Sequence, residues 1–275
     1  MSGAGKRVVV TGGSGGAGLF IIPELLAHGY TVVNADMQQA PRPGATFVKC
    51  DSTVLDQVVN VTAGAYAIVH MAAIASPTPP DQEVWRVNMT GAWNVLEAAE
   101  LHGIKKIVMA SSVNALGADW GDKIAPEYFP IDEDHPTRCQ DVYSVSKHLA
   151  EELADSYARR RSVQIASLRF HWLMRPEDAE ATYKANLADT GANVEGKCKG
   201  FWSWTGRELL LICLSFVPIP VVSSSSTAAL LPSHVTVAFR TRCRASMSFE
   251  HRGRLGRSRG FFHQRARYHF DGPIC

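Results

Sequence analysis

The chain has 275 residues, which is enough for one large domain, or for one ordinary domain and a smaller one. Hydrophobic residues make up 46% of it and the net charge is +2, values typical of a soluble globular protein with ample material for a core. The six cysteines form no C-x-x-C pair, which argues against a zinc site or a disulfide framework and favours a reducing, cytoplasmic compartment.

Two apolar stretches are too short or too interrupted to be targeting or membrane segments. The first, in RVVVTGG near the N-terminus, turns glycine-rich too early for a signal peptide. The second, LLLICLSFVPIPVV at 209–222, is shorter than a membrane span and contains two prolines. We therefore expect neither a secretion signal nor a membrane-spanning helix.

Short apolar strands alternate with helical patterns over the first 175 residues. The predicted strands cover 7–12, 31–36, 46–51, 65–73, 105–112 and 163–170, and the predicted helices cover 17–29, about 81–102 and about 140–160. Because the strands are continuously apolar rather than alternating, they indicate a parallel sheet that is buried on both faces. Right-handed crossovers then predict an α/β doubly wound sheet, a Rossmann fold with the strand order 3-2-1-4-5-6.

A glycine-rich turn, TGGSGGAG, lies between the first predicted strand and the first predicted helix. Gly12, Gly15 and Gly18 follow Thr11 at T-G-x-x-G-x-x-G spacing. Glycines there allow a tight turn, close approach of the backbone to a pyrophosphate and close packing of the helix on the strand. The helix N-terminus offers N–H groups and a positive dipole end to the phosphates. The turn therefore predicts a dinucleotide site, and it is not a P-loop because no Gly-Lys-Ser/Thr follows.

Two aspartates end the next two predicted strands. Asp36 stands 18 residues after Gly18, close to the ~20-residue offset of a ribose-binding acid. A carboxylate there accepts hydrogen bonds from both adenosine-ribose hydroxyls and repels a 2′-phosphate. Because Met37 follows, with no adjacent arginine to hold such a phosphate, we expect NAD rather than NADP. Asp51 is a weaker candidate, which either contacts the adenine edge or caps a helix.

Tyr143 and Lys147 stand four residues apart in DVYSVSKHLAE, so they share one face of a predicted helix. The pattern alone fits either a catalytic pair or the wet face of a surface helix. A tyrosine phenol normally has a pKa near ~10, and a neighbouring ammonium lowers it. Ser111 and Ser112 end the preceding strand, at the edge of the sheet where ligands of open α/β folds bind, and supply a group for a substrate oxygen.

Seven motifs, in order, resemble those of the extended, NAD-dependent epimerase/dehydratase branch of the short-chain dehydrogenase/reductase superfamily. The resemblance covers about residues 6–175. The motifs are the glycine turn, Asp36, VHMAA (69–73), VNMTGAWNVLEAA (87–99), VMASSVNALG (108–117), YSVSK (143–147) and SLRF (167–170).

The resemblance implies a role for each matching residue. Tyr143 would be the general acid/base, and Lys147 would lower its pKa and bind the nicotinamide ribose. Ser112 would position the substrate oxygen because it stands five residues before Gly117, which closes its motif, and Ser111 is the fallback.

Other matched and unmatched positions carry weaker expectations. By the resemblance, Ala72 and Ala73 would lie along the cofactor, and Asn88 would be structural rather than chemical. Arg175 replaces a glycine that the family usually has after the sixth strand. It would face an anionic substrate, such as a uronate or a nucleotide-sugar phosphate, or else lie on the surface.

The chain changes character after the sixth predicted strand. Residues 1–199 hold 18 lysines and arginines against 23 acids, a net charge of −5, whereas residues 200–275 hold ten arginines, no lysine and three acids, a net charge of +7. Family members build a small substrate-closing domain here. We expect residues 176–206 to be a remnant of its start and residues 207–275, which lack periodicity, not to be a native substrate domain. The alternative, a basic arm for nucleic acid, lacks a nucleic-acid fold and aromatic residues placed for stacking.

The sequence thus predicts an NAD-dependent oxidoreductase or epimerase/dehydratase acting on a hydroxyl or carbonyl of a sugar derivative. The alternative is a non-catalytic NAD-binding module from a truncated or misassembled chain. We predict no metal site and no nucleic-acid or membrane partner. Family members often pair through two long helices, here near 81–102 and 140–160, so a homodimer is expected by analogy.

Overall fold

A computed structural model describes residues 3–117, 120, 127, 128, 131, 134–161, 163–169, 172, 173, 203, 204, 239 and 240. Of the predictions above, those on Arg175 and on nearly all of residues 176–275 lie outside these described residues. The division of the chain at residues 175 and 206 therefore stays a prediction.

Six parallel strands form the centre of the fold. They are β1 (Arg7–Thr11), β2 (Thr31–Asp36), β3 (Thr46–Lys49), β4 (Ala67–His70), β5 (Lys106–Ala110) and β6 (Gln164–Leu168). They pair in the order β3-β2-β1-β4-β5-β6, which confirms the predicted strand order and the Rossmann fold. The order reverses between β1 and β4, and ligands of such sheets bind at this switch point, beyond the carboxyl ends of the strands.

In the part of the chain that the structure describes, four α-helices and one 3-10 helix accompany the strands. They are α1 (Gly18–Ala27), α2 (Leu55–Thr62), α3 (Asp81–Leu101), α4 (Val142–Arg161) and the 3-10 helix Val113–Leu116. The sequence predicted α1, α3 and α4, and Gly29 (φ 82°) follows the end of α1 as expected. It missed α2, which has eight residues and is too short for a clear helical period. Among the helices that the structure describes, none combines the length and the apolar character of a membrane-spanning segment.

Both faces of the sheet are buried, as the continuous apolar strands predicted. Val8 and Val10 of β1 pack on one face with Ile21 and Leu25 of α1. Val9, between them, packs on the other face in a core that includes apolar side chains of α2, α3 and α4. Each of the three valines is at most 1% exposed. Full burial of such a side chain contributes roughly 1.5–3 kcal/mol, so β1 is held from both sides.

Among the few residues described beyond β6, three two-residue strands are present. β7 (Trp172–Leu173) pairs with β8 (Ser203–Trp204) in parallel, and β9 (Phe239–Arg240) pairs with β6 in an antiparallel register. The sequence analysis predicted none of the three. A segment of two residues is too short to show a period of two in the sequence.

The backbone after the 3-10 helix leaves and returns at nearly the same place. Gly117 has a φ of 79°, and a Cβ on it would lie 2.3 Å from the carbonyl oxygen of Arg138. The amide of Arg138 donates to the carbonyl of Leu116 at 2.9 Å. The Sγ of Cys139 lies 3.3 Å from the carbonyl oxygen of Ala115. These contacts join the end of the 3-10 helix to the segment that leads into α4.

Candidate functional site

The predicted site residues follow the carboxyl ends of the parallel strands. Gly12 comes directly after β1, Asp36 is the last residue of β2, and Asp51 follows β3. Ala72 and Ser112 each stand two residues beyond β4 and β5. Because parallel strands all end at one edge, the fold brings these five positions to one rim, where open α/β sheets bind ligands.

The glycine turn is sterically closed to larger residues. A Cβ on Gly12 (φ 68°) would lie 2.5 Å from the amide nitrogen of Ala72, and a Cβ on Gly18 would lie 1.9 Å from the carbonyl oxygen of Gly13. A Cβ on Gly15 would lie 3.2 Å from the carbonyl oxygen of Gly12. The turn therefore contacts both the loop after β4 and its own beginning, which is the compact form that a phosphate-binding role requires.

The N-terminus of α1 is open to an anion. The N-cap residue is Ala17, no side chain caps the helix there, and its first turn contains no acidic residue. No carboxylate in the first turn of α1 therefore neutralises the N–H groups and the positive dipole end of this helix. A phosphate at this point meets attraction rather than competition.

A backbone amide of the glycine turn binds the carboxylate of Asp36. The Asp36 Oδ2 accepts a hydrogen bond from the amide of Ser14 at 3.0 Å, and Oδ1 accepts one from the amide of Gln38 at 3.1 Å. The Ser14 Oγ in turn accepts from Asn34 Nδ2 at 3.0 Å and from the amide of Ala40 at 3.2 Å. A carboxylate has about four acceptor positions, so Asp36 keeps capacity for ribose hydroxyls.

Asp51 closes a turn just before α2. Its Oδ1 accepts from the amide of Thr53 at 2.9 Å and from the Thr53 hydroxyl at 2.8 Å. In return, the amide of Asp51 donates to Gln57 Oε1 of α2 at 2.8 Å. The N-cap of α2 is Val54, and no side chain caps the helix there, so Asp51 is not its capping residue. A contact with adenine stays a prediction.

Arg42 lies against the glycine turn, and the sequence analysis missed it. Its Nε donates to the carbonyl of Gly13 at 2.8 Å, and its Nη2 donates to the carbonyls of Ser14 at 2.7 Å and Gly15 at 2.9 Å. The expectation of NAD rested on the lack of an arginine adjacent to Asp36, and Arg42 stands six positions after Asp36. The chain therefore has an arginine beside the turn in space, although not in the neighbouring sequence.

Tyr143 and Lys147 face inward from the start of α4. Each is only 6% exposed, and Lys147 Nζ lies 5.6 Å from the centre of the Tyr143 ring. The Nζ also donates to the carbonyl of Ala110, the last residue of β5, at 2.7 Å. The ring of Trp120 meets the Tyr143 ring edge-on, with 5.4 Å between their centres. The alternative of a wet surface-helix face is therefore wrong for this pair.

The two serines after β5 have different surroundings. The Ser111 hydroxyl donates to Glu151 Oε1, and Arg169 binds the same carboxylate through Nε at 2.9 Å and Nη2 at 2.7 Å. Ser112 Oγ instead accepts from the amide of Asn114 at 3.2 Å, which leaves its own hydroxyl hydrogen for a substrate oxygen. The geometry favours Ser112 over Ser111, because the Ser111 hydroxyl is committed to a buried ion pair.

Burial shifts the pKa values of two basic groups behind the rim, Lys147 and His70. Burial lowers the pKa of Lys147 to about 8, and the carboxylate of Glu151, one turn along α4, opposes this shift. Burial, with a smaller contribution from the Lys147 ammonium, lowers the pKa of His70 to about 3. The His70 Nδ1 lies 2.7 Å from Thr11 Oγ1. At pH 7, the site therefore contains a cationic Lys147 and a neutral His70.

Asn88 joins the loop after β4 to the helix that carries Tyr143. Its Oδ1 accepts from the amide of Ile74 at 2.8 Å, and its Nδ2 donates to Ser146 Oγ at 3.0 Å. The Ser146 hydroxyl donates to the carbonyl of Tyr143 at 2.7 Å. These bonds give Asn88 the structural role that was expected of it.

The chain matches known proteins over more than half of its length. It matches the sequence model of the NAD dependent epimerase/dehydratase family over residues 8–190. It is 32% identical over 173 residues to a putative UDP-glucose 4-epimerase of Methanocaldococcus jannaschii, covering 59% of this chain and 54% of that protein. It is 29% identical over 178 residues to an L-arabinose 1-dehydrogenase (NAD(P)+) of Haloferax volcanii, covering 62% of this chain and 69% of that protein. It is 28% identical over 167 residues to a uronate dehydrogenase of Pseudomonas syringae pv. tomato, covering 60% and 58%.

These matches span about half to two thirds of the relatives' own lengths. Among solved structures, a mutated uronate dehydrogenase aligns with a TM-score of 0.56 at 25% identity, covering 75% of this chain and 80% of that one. A UDP-glucose 4-epimerase from Brucella ovis, in complex with NAD, aligns with a TM-score of 0.64 at 20% identity, covering 77% and 73%. The second likeness shows the fold alone.

The family match covers well over half of the chain, and its range contains the glycine turn, Asp36 and the Tyr143–Lys147 pair. The predicted family is thereby confirmed, and with it an enzymatic class whose cofactor is NAD. The chain belongs to the NAD-dependent epimerase/dehydratase family.

Proposed function

We propose that this chain is an NAD-dependent oxidoreductase that acts on a hydroxyl or carbonyl of a sugar derivative, such as a nucleotide sugar or a uronate. The observation that carries the proposal is the buried Tyr143–Lys147 pair, which lies beside the end of β5. Ser112 and the glycine turn follow strands of the same sheet and so share this rim.

The residues present fit NAD. The closed glycine turn and the uncapped N-terminus of α1 suit the pyrophosphate, and Asp36 suits the adenosine ribose. When bound, NAD supplies a hydride acceptor that can return the hydride. The residues proposed to hold it are Gly12, Gly15, Gly18, Asp36, Asp51, Ala72, Ala73, Tyr143 and Lys147.

Tyr143 is proposed to move the proton on the substrate oxygen. Lys147 is proposed to assist it. Because the pKa of Lys147 is about 8, most of its amine is protonated at pH 7. An ammonium beside a phenol favours the phenolate form, so the pair is suited to general acid–base catalysis near neutral pH. Ser112 is proposed to donate a hydrogen bond to the same substrate oxygen.

The substrate class is supported by what the relatives are called. They include UDP-glucose 4-epimerases, uronate dehydrogenases and an L-arabinose 1-dehydrogenase, and all of these names contain a sugar or sugar acid. Dehydrogenation and epimerisation share the first hydride transfer. Net formation of NADH with a purified substrate separates them, because an epimerase returns its hydride.

Tyr143→Phe tests the catalytic role directly. We expect turnover to fall roughly 10²–10⁴-fold, the usual contribution of a general acid–base group, while NAD binding persists. Tyr66→Phe is the matched control, since Tyr66 directly precedes β4 at the amino edge of the sheet, near Lys6. Activity is measured on a panel of sugars and uronates, and NAD binding by calorimetry. Equal turnover in the two variants would contradict the proposal.

A second candidate function is a non-catalytic NAD-binding module. It is favoured by the limited span of the matches to the curated relatives. A wild-type protein that binds NAD and turns over nothing across the panel would support it. A related hypothesis is that residues 207–275 result from translation of an intron or of a shifted frame. Sequencing the mature transcript tests it, and a continuous reading frame through codons 200–275 would contradict it.

The proposal also includes a cellular location and an oligomeric state.

The absence of any C-x-x-C pair supports a cytoplasmic location, which fractionation of the source cells checks. On α3, Trp85 and Trp93 are 45% and 46% exposed, which supports pairing of two copies through this helix. Sedimentation at micromolar concentration checks it, and a monomer there would contradict the pairing.

A further inference from the structure

We propose that Arg42 is a positioning residue for the cofactor: it holds the phosphate-binding turn in shape, and this commitment keeps it from binding a 2′-phosphate. The inference rests on the proposed role of the turn as the pyrophosphate site. It adds a residue that no family motif in the sequence points to.

Nearly all N–H donors of the Arg42 guanidinium form hydrogen bonds. Its Nε and Nη2 donate to three consecutive carbonyls, those of Gly13, Ser14 and Gly15, at 2.7–2.9 Å. Its Nη1 donates to the carbonyl of Pro41 at 2.8 Å. A guanidinium has five N–H donors, so four of them are engaged. A planar fork of this kind fixes the relative orientation of the peptide groups it binds.

The carbonyls that Arg42 binds belong to the turn that leads into α1. Without a cation, three adjacent carbonyl dipoles repel one another and present negative charge near an incoming phosphate. A hydrogen bond from a cation to a carbonyl also polarises the peptide group, which makes its N–H a stronger donor. Arg42 therefore adds positive potential to the turn without contacting the cofactor itself.

The peptide groups of Ser14 link Arg42 to the ribose acid. The amide of Ser14 donates to Asp36 Oδ2 at 3.0 Å, while its carbonyl accepts from Arg42 Nη2 at 2.7 Å. Displacing the guanidinium toward a 2′-phosphate would break its three bonds to the turn and disturb the residue that holds Asp36. NAD leaves this arrangement intact, so Arg42 and Asp36 favour the same cofactor.

Arg42→Met tests the inference, because methionine keeps much of the apolar stem and removes all five donors. We expect its Kd for NAD to rise about tenfold, which corresponds to ~1.4 kcal/mol. Arg42→Lys should fall between the variant and wild type, since lysine keeps the charge but not the fork. Arg159→Met, at an exposed position near the end of α4, is the matched control and should bind NAD as wild type does.

The ligand series separates positioning from a general loss of structure. Calorimetry with NAD, ADP and adenosine should show a larger loss in Arg42→Met for the two pyrophosphate ligands than for adenosine, which depends on Arg42 only through Ser14 and Asp36. Where a substrate is turned over, the KM for NAD should rise and kcat at saturating NAD should stay near its wild-type value. An equal loss for all three ligands, or no loss for NAD, overturns the inference.

The affinity for NADP tests whether Arg42 binds a 2′-phosphate. We expect wild type to bind NADP at least tenfold more weakly than NAD, or ~1.4 kcal/mol, and Arg42→Met not to change that ratio by more than about twofold. Tight NADP binding that Arg42→Met selectively removes would make Arg42 a 2′-phosphate ligand and overturn the inference. A wild type that binds neither NAD nor ADP overturns the proposed role of the turn itself, so the two failures are distinguishable.

Discussion

His70→Asn should remove an acid sensitivity that is built into the fold. His70 is 5% exposed, its Nδ1 lies 2.7 Å from Thr11 Oγ1, and burial, helped by the Lys147 ammonium, lowers its pKa to about 3. In the unfolded chain the pKa of a histidine is near ~6.5. Asparagine keeps a polar group close to the position of Nδ1 and does not titrate in this range.

The sign and size of the effect follow from proton linkage. Because the folded-state pKa lies below the unfolded one, only the unfolded chain binds the proton between pH 6.5 and pH 3. The stability that neutral His70 contributes is therefore complete above pH 6.5 and is lost as the pH falls. One pKa unit corresponds to ~1.36 kcal/mol, so the loss between pH 7.5 and pH 5.0 is about 2 kcal/mol.

Urea unfolding at pH 7.5 and pH 5.0 measures this loss. Wild type should lose about 2 kcal/mol more of its unfolding free energy on acidification than His70→Asn does. His102→Asn, which replaces an exposed histidine at the end of α3, should follow wild type. If wild type and His70→Asn lose the same free energy, a buried and neutral His70 is refuted.

Two other substitutions have outcomes that the contacts fix. Gly12→Ala should weaken NAD binding at least about tenfold, ~1.4 kcal/mol, because its Cβ meets the amide nitrogen of Ala72 at 2.5 Å. Gly64→Ala, at a φ of 69° with nothing within 4 Å, should leave NAD affinity unchanged in calorimetry, and equal losses would contradict the steric argument. Arg169→Met strands the carboxylate of Glu151, 2% exposed, and should cost about 3–5 kcal/mol in chemical denaturation. Adding Glu151→Leu should recover part of this cost, and a double variant less stable than Arg169→Met would contradict it.

The elements that the sequence predicted well are those with a local signal. The strand order followed from alternating apolar strands and helices, and Gly29 marked the end of α1. The boundaries were less accurate: the strand predicted at 65–73 spans Ala67–His70. The excess at its carboxyl end belongs to the loop that lines the rim, because apolar residues such as Ala72 continue past the last ladder hydrogen bond.

The parts of the site that the sequence missed depend on contacts between distant residues. Arg42 meets the turn across 27–29 positions, and Arg169 meets Glu151 across 18. No period or spacing within one element connects such residues, since their pairing exists only once the sheet has brought β-strand ends together. Tyr143 and Lys147, by contrast, lie on one helical turn, so their spacing was visible in the sequence.

The close contact of Gly117 and Leu116 with Arg138 forms a junction that affects how the sequence of this protein can evolve. Because the amide of Arg138 is bonded to the carbonyl of Leu116, the two sides of the junction hold each other in place. Loop-closure entropy grows only slowly with length, so an insertion between the two sides costs little closure entropy. Ser112 and Tyr143 stand on the two anchored sides of this junction. An insertion between them can therefore change the chain beside Ser112 and Tyr143 without breaking the backbone bond that anchors both sides.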